Sequence, residues 1–111
     1  MSEKKIVVVG SSNTDMVVKS DRLPVPGETI LGGAFRMNPG GKGANQAVAI
    51  ARLGADISMI GKVGSDSFGQ TLINQLKTDN VKTDYVHIED GSSGVAMITV
   101  DKNADNSIVV A

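Results

Sequence analysis

Behind a glycine-rich stretch, Ala44, Ala47, Val48 and Ala51 recur at the i, i+3, i+4, i+7 spacing of one helical face. Three of the four are alanine, so this face must press closely against its neighbour, and a sheet offers the flat surface it requires. Arg52 in the last turn and Gly54 just beyond it supply the chemistry that ends such a helix. Before it, Lys5-Ile6-Val7-Val8-Val9 forms a short β-branched run closed by Gly10-Ser11-Ser12-Asn13. Unbroken apolarity there predicts a strand covered on both faces, as in a parallel α/β sheet. After it, Ile57 to Val63 reads as a strand. A second helix runs from about Ser67 to Asp79 with Phe68, Leu72 and Leu76 on one stripe, and Lys82 to Ile88 is a further strand. The order strand, helix, strand, helix, strand predicts a parallel α/β layer.

Other segments do not fit that layer. Asp15 to Lys19 reads as a short strand, Leu23 to Glu28 as a proline-marked loop, and Thr29 to Phe35 as a bulged or edge strand interrupted by Gly32-Gly33. Val95 to Val100 and Ser107 to Val110 flank a polar hexapeptide, Asp101 to Asn106, in a hairpin pattern. These strands, about 15–35 and 95–110, are expected to form a small separate sheet, a flap over one end. The sequence closes on the β-branched run Ile108-Val109-Val110 before Ala111, which suggests the N-terminal piece of a longer chain.

Composition narrows the function. Eleven Lys+Arg against twelve Asp+Glu leave a formal charge of −1, with no basic block to hold nucleic acid or an anionic membrane. Three aromatics are too few for a base-stacking platform, and the lack of cysteine excludes a disulfide scaffold, a thiolate zinc site and a cysteine nucleophile. The N-terminus has no signal-peptide pattern and no apolar stretch is long enough for a membrane span, so the cytoplasm is the expected compartment. His87, the single histidine, reads as structural, and the five methionines as packing residues.

Two local patterns could carry chemistry. Pro39-Gly40-Gly41-Lys42-Gly43-Ala44-Asn45 stands at the mouth of the first helix, where backbone amides lack partners and glycines let a ligand approach. It is neither a Walker loop, since the position five before Gly41 is Arg36, nor a dinucleotide fingerprint. The alternative is a plain glycine turn carrying a stray lysine. Asn13 and Asp15 lie just past the end of the first strand, where parallel α/β sheets bind ligands. A carboxylate accepts from neighbouring hydroxyls and an amide both donates and accepts, so Asn13, Asp15, Gly41, Lys42 and Asn45 together suit a polyhydroxy compound. Asx residues also simply close turns, and that reading stays open.

The run Gly40-Gly41-Lys42-Gly43-Ala44-Asn45-Gln46-Ala47, with Gly54 and Gly64 behind it, resembles the first signature of the ribokinase-like (PfkB) carbohydrate kinases. Val8 to Asp15 and Pro24 to Thr29 are similar to the same family, and the resemblance covers essentially the whole chain. It implies the N-terminal part of an α/β/α sandwich with a small β-sheet lid, and residues 1–111 as one portion of a single kinase domain. It implies transfer of the γ-phosphate of ATP to the 5-hydroxyl of D-ribose, with Mg²⁺ and a possible K⁺ activator. It also implies a homodimer formed through the lid. On the same ground Asn13, Asp15, Gly40, Gly41, Lys42 and Asn45 are the expected sugar-binding residues. The family's GAGD segment, with its catalytic aspartate and most of the ATP site, has no counterpart here, so these 111 residues are expected to be inactive alone. The alternatives are another sugar or nucleoside kinase of the family and a non-catalytic sugar-binding or dimerisation module.

Overall fold

The computed structural model describes residues 4–111 and divides them into two compact units. Residues up to Thr14, with Pro39–Gly94, make the first; Asp15–Asn38 and Val95–Ala111 make the second.

In the first unit, strands β1 (Lys5–Val9), β4 (Asp56–Gly64) and β5 (Lys82–Glu89) form a parallel sheet in the order β1-β4-β5. Lys5 pairs with Asp56 through to Val9 with Ile60, and β4 meets β5 with an irregularity between Ser58 and Ile60. Helices α1 (Lys42–Arg52) and α2 (Ser67–Thr78) are the crossovers that lead into β4 and β5. The expected alanine face is real: Ala44, Ala47 and Ala51 are buried against the sheet, with Val48 half-buried beside them. On β4 the pleat alternates, so Ile57 and Met59 point inward and are almost wholly buried, while Ser58 and Ile60 turn away. Leu72, Ile73 and Leu76 of α2, with Val81 and Val86, complete the core.

Cover on both faces of the first strand, expected from its apolarity, is absent among the described residues. Val7 and Val9 are exposed, Val9 by 75%. The cause lies in the connections. Both crossovers step across the sheet in the same direction, and right-handed crossovers of one direction lay their helices on one face.

Helix α1 ends as its sequence predicts. Gly54 takes φ +91° and donates its amide to the Ala51 carbonyl at 2.9 Å. The two helix ends are joined by Arg52 Nη2 and Asp79 Oδ1 at 3.0 Å.

The second unit holds most of a four-stranded sheet, ordered β3 (Phe35–Gly40), β2 (Asn13–Lys19), β6 (Val95–Val100), β7 (Asn106–Val110); Asn13, Thr14, Pro39 and Gly40 at its strand ends count with the first unit. β6 and β7 form the expected antiparallel hairpin. Its turn is closed by Asp101 Oδ1, which accepts from the amides of Asn103 (2.8 Å) and Asp105 (3.0 Å). Thr29–Phe35 is not the expected strand: residues 20–34 are irregular, and β3 begins only at Phe35. Gly32 and Gly33 offer no side chains to pack, and the two backbone bonds here, Gly33 N–H to the Lys19 carbonyl and Lys19 N–H to that of Ala34, do not grow into a ladder. Asn38-Pro39-Gly40, at the mouth of the first helix, closes β3; β3 is an edge strand, where a proline removes no interior bond. The preceding loop is stapled by Arg22, whose guanidinium donates twice to the Glu28 carboxylate at 2.6 Å. That fork, with a bond from the Val25 amide, lowers the Glu28 pKa to about 2.

Candidate functional site at the mouth of the first helix

Helix α1 starts against the turn that leaves β1. The Ala44 amide donates to the Ser11 carbonyl at 3.0 Å, and the Gly10 amide donates to Ile60 of the neighbouring strand at 3.2 Å. The approach is so close that side chains are excluded. A Cβ on Gly41 would stand 2.4 Å from the Ser11 carbonyl oxygen, and one on Gly43 2.7 Å from the Gly10 Cα. Gly41 also holds φ +100°, a conformation that glycine alone adopts cheaply. The sequence suggested that these glycines open the backbone to a ligand; the geometry assigns them first to packing the helix start onto the β1–β2 turn.

That packing narrows the cradle. The first amides of a helix have no partner inside it. Of these, the one at Ala44 is already used by Ser11. Gly41 provides no side-chain cap, so the helix itself satisfies neither the Lys42 nor the Gly43 amide.

Five of the six expected residues fall in the first unit. Asn13 is half-buried at the start of β2, Gly40 is buried at the end of β3, and Gly41, Lys42 and Asn45 occupy the first turn of α1, with the lysine and amide side chains exposed. Asp15, half-buried, is the first residue of the second unit, two positions beyond Asn13 on the same strand. A groove of about 400 Å³ runs between α1 and α2, with Val48, Leu72 and Leu76 in its lining. Asn45 alone of the six lines it, beside Ser12 and Pro39. His87 is exposed on β5. Among the described residues no three His, Asp or Glu side chains cluster so as to hold a metal ion, and no helix is long and apolar enough to cross a membrane.

Two residues outside the motifs singled out in the sequence, Asp66 and Ser93, share a dense polar network. Asp66 caps α2, its Oδ1 accepting from the Gly69 amide at 2.9 Å and the Ser93 hydroxyl at 2.7 Å, while Oδ2 accepts from the Ser93 amide at 2.8 Å. The same hydroxyl accepts from the Gly64 amide at 2.9 Å. These donors, the Ser93 hydroxyl foremost, hold the Asp66 carboxyl below the usual carboxylate range. The capping half was legible, since an Asp directly before a helical stripe is a strong N-cap signal. The Ser93 half joins residues 27 apart and leaves no local trace.

A family model described as pfkB family carbohydrate kinase matches residues 3–111. The chain belongs to this family. Among pfkB kinases it is similar to the ribokinase of Bacillus subtilis (strain 168), 50% identical over 111 aligned residues that cover 96% of this chain and 36% of that protein. It is also similar to a deoxyribokinase of Salmonella typhi, 42% identical over 106 residues, 95% of this chain and 35% of that protein. Among solved structures, that of Arabidopsis thaliana ribokinase complexed with ribose and ATP superposes with a TM-score of 0.85 at 35% identity, over 100% of this chain and 36% of that one. The chain thus spans about a third of the length of the curated pfkB relatives it matches. The mixed α/β architecture is that of the ribokinase fold.

Proposed function

We propose that the full-length protein is an ATP-dependent ribokinase, and that this segment supplies its sugar site and lid. The observation that carries the reading is the likeness, over the whole of this chain, to a ribokinase complexed with ribose and ATP. On this reading the Asn13 amide and the Lys42 and Asn45 side chains bind ribose hydroxyls, beside the first amides of α1. The buried Gly40 and the Gly41 cap set the backbone there. Asp15 joins the set from the sequence resemblance, as a carboxylate able to accept from two neighbouring hydroxyls. In the transfer, the ribose 5-oxygen bonds to the γ-phosphorus of ATP, the bond to the bridging oxygen breaks, ADP leaves, and the hydroxyl proton passes to a base. That base is the aspartate of the GAGD segment, which these residues do not contain. A lid made of the four-stranded unit serves to exclude water, which otherwise competes for the phosphate.

The family resemblance, not the geometry, assigns Mg²⁺, K⁺ and most of the ATP site to the part of the protein outside this segment. A homodimer through the lid is supported by Met97, Ile108, Val109 and Val110, large apolar side chains that the second unit leaves exposed. The cytoplasm is the compartment this reading implies.

The likeness to a deoxyribokinase favours 2-deoxyribose as the second reading. Steady-state kinetics with ATP and ribose, 2-deoxyribose, fructose or adenosine test both. The account expects the highest kcat/KM for ribose in the full-length protein and no turnover by residues 1–111 alone. A preference for adenosine or fructose would overturn it.

A further inference from the structure

The bond network around Asp66 reaches further than the helix it caps. Loop residues 91–94 are held to the β4–α2 turn at several points. The Ser65 amide donates to the Gly91 carbonyl at 2.9 Å and the Gly91 amide to the Ser65 hydroxyl at 3.1 Å. Ser93 is bound through both its amide and its hydroxyl to Asp66. It is only 6% exposed, and it is walled by glycines that admit no side chain: a Cβ on Gly64 would lie 2.3 Å from the Ser93 nitrogen, and one on Gly69 3.1 Å from its hydroxyl oxygen. The next carbonyl, that of Gly94, accepts the amide of Thr14 at 3.0 Å. Thr14 is itself 7% exposed, and the residue before it is Asn13.

An N-cap needs one carboxylate oxygen. Here the second oxygen is bound to a loop far away in sequence, and that loop fixes the strand next to the proposed sugar ligand. We propose that Asp66, acting through Ser93 and the Gly94 carbonyl, is a positioning residue that sets the backbone at Thr14 and thereby the aim of Asn13. It touches no substrate. This inference rests on the ribose reading above and adds to it a residue outside the sugar set, far in sequence from the Asn13 it aims, that tunes sugar affinity without taking part in the transfer.

Two substitutions separate positioning from capping. Asp66→Ser keeps an oxygen for the Gly69 amide but is too short to hold Ser93; Ser93→Ala keeps the Asp66 cap and removes the hydroxyl tie. Both are measured in the full-length protein by amide hydrogen exchange and by steady-state kinetics. In each, Thr14 amide exchange is expected to quicken about tenfold while Gly69 stays protected. The ribose KM is expected to rise about tenfold, the order for loss of one charge-assisted bond, with kcat held within about twofold. Unchanged exchange at Thr14 overturns the inference, as does faster exchange with unchanged KM, or a fall in kcat alone. Wild-type protein that neither binds nor phosphorylates ribose would instead bring down the sugar reading, and this inference with it; a ribose-active wild type with indifferent variants would bring down only the inference.

Discussion

The two units of this chain are stabilised in different ways. Among the described residues, eleven of the twelve buried hydrophobic side chains belong to the first unit, and Ala96 is the second unit's single member. The first unit has an interior: alanines from one helix, leucines and isoleucine from the other, and Ile57 and Met59 between them. The second has a sheet that leaves many of its large side chains exposed, Val110 by 70%, and it is held by ladder bonds, an Asx turn and an Arg–Glu fork. A unit that removes little apolar surface from water gains less stability per residue than one that removes much. The lesson concerns roles as well as stability. The part that holds the mouth of α1 is built on a core, and the part proposed as lid and dimer surface is not.

Core substitutions should break this contrast most visibly if it is wrong. Met59→Ala is expected to cost about 2–5 kcal/mol, the range for emptying a filled core site, whereas Ile108→Ala in the second unit should cost under about 1 kcal/mol. Urea unfolding of both variants decides; equal losses would erase the distinction.

Glycine substitutions sharpen it. Gly41 and Gly27 both have positive φ, at +100° and +80°, but a Cβ on Gly27 meets nothing within 4 Å, while on Gly41 it strikes the Ser11 carbonyl. Gly27→Ala should therefore lose only the backbone term, about 1 kcal/mol. Gly41→Ala should lose more than that by thermal denaturation and should abolish ribose binding, because the helix start cannot stay seated on the turn.

Asp15→Ala tests the functional share of the second unit. Removing a carboxylate that accepts sugar hydroxyls should cost roughly 1.5–3 kcal/mol of binding, read as a ribose KM raised roughly tenfold to a hundredfold. An unchanged KM removes Asp15 from the sugar set.

The smallest effects lie in acid. Asp66 in the first unit and Glu28 in the second both have lowered pKa values, so each stabilises the fold fully above its ordinary carboxylate range and loses that contribution as pH falls through the folded value. Carboxyl NMR should place the Glu28 midpoint at about 2, and Arg22→Ala should move it back toward 4.5. A wild-type midpoint near 4.5 would mean that the fork does not form.

Much of the first unit was legible because its signals are local and periodic. The alanine stripe of α1, the Gly54 stop and the β-branched strands each state their structure within a few residues. The one-sided cover of β1 was hidden, because an apolar strand reads alike whether its second face is packed or bare. Residues 29–34 misled because Thr29, Ile30 and Leu31 favour strands, while the two glycines that follow cannot sustain one. At the site, the residue types and their order were readable; that Gly41 and Gly43 face Ser11 and Gly10, and that Asp66 reaches Ser93, follows from contacts between distant segments.

The most direct test of the account is a crystal of the full-length protein soaked in ribose. The account expects the sugar at the first turn of α1, its hydroxyls within hydrogen-bond distance of the Asn13, Lys42 and Asn45 side chains. Ribose bound elsewhere, with those three side chains free of it, would contradict the assignment.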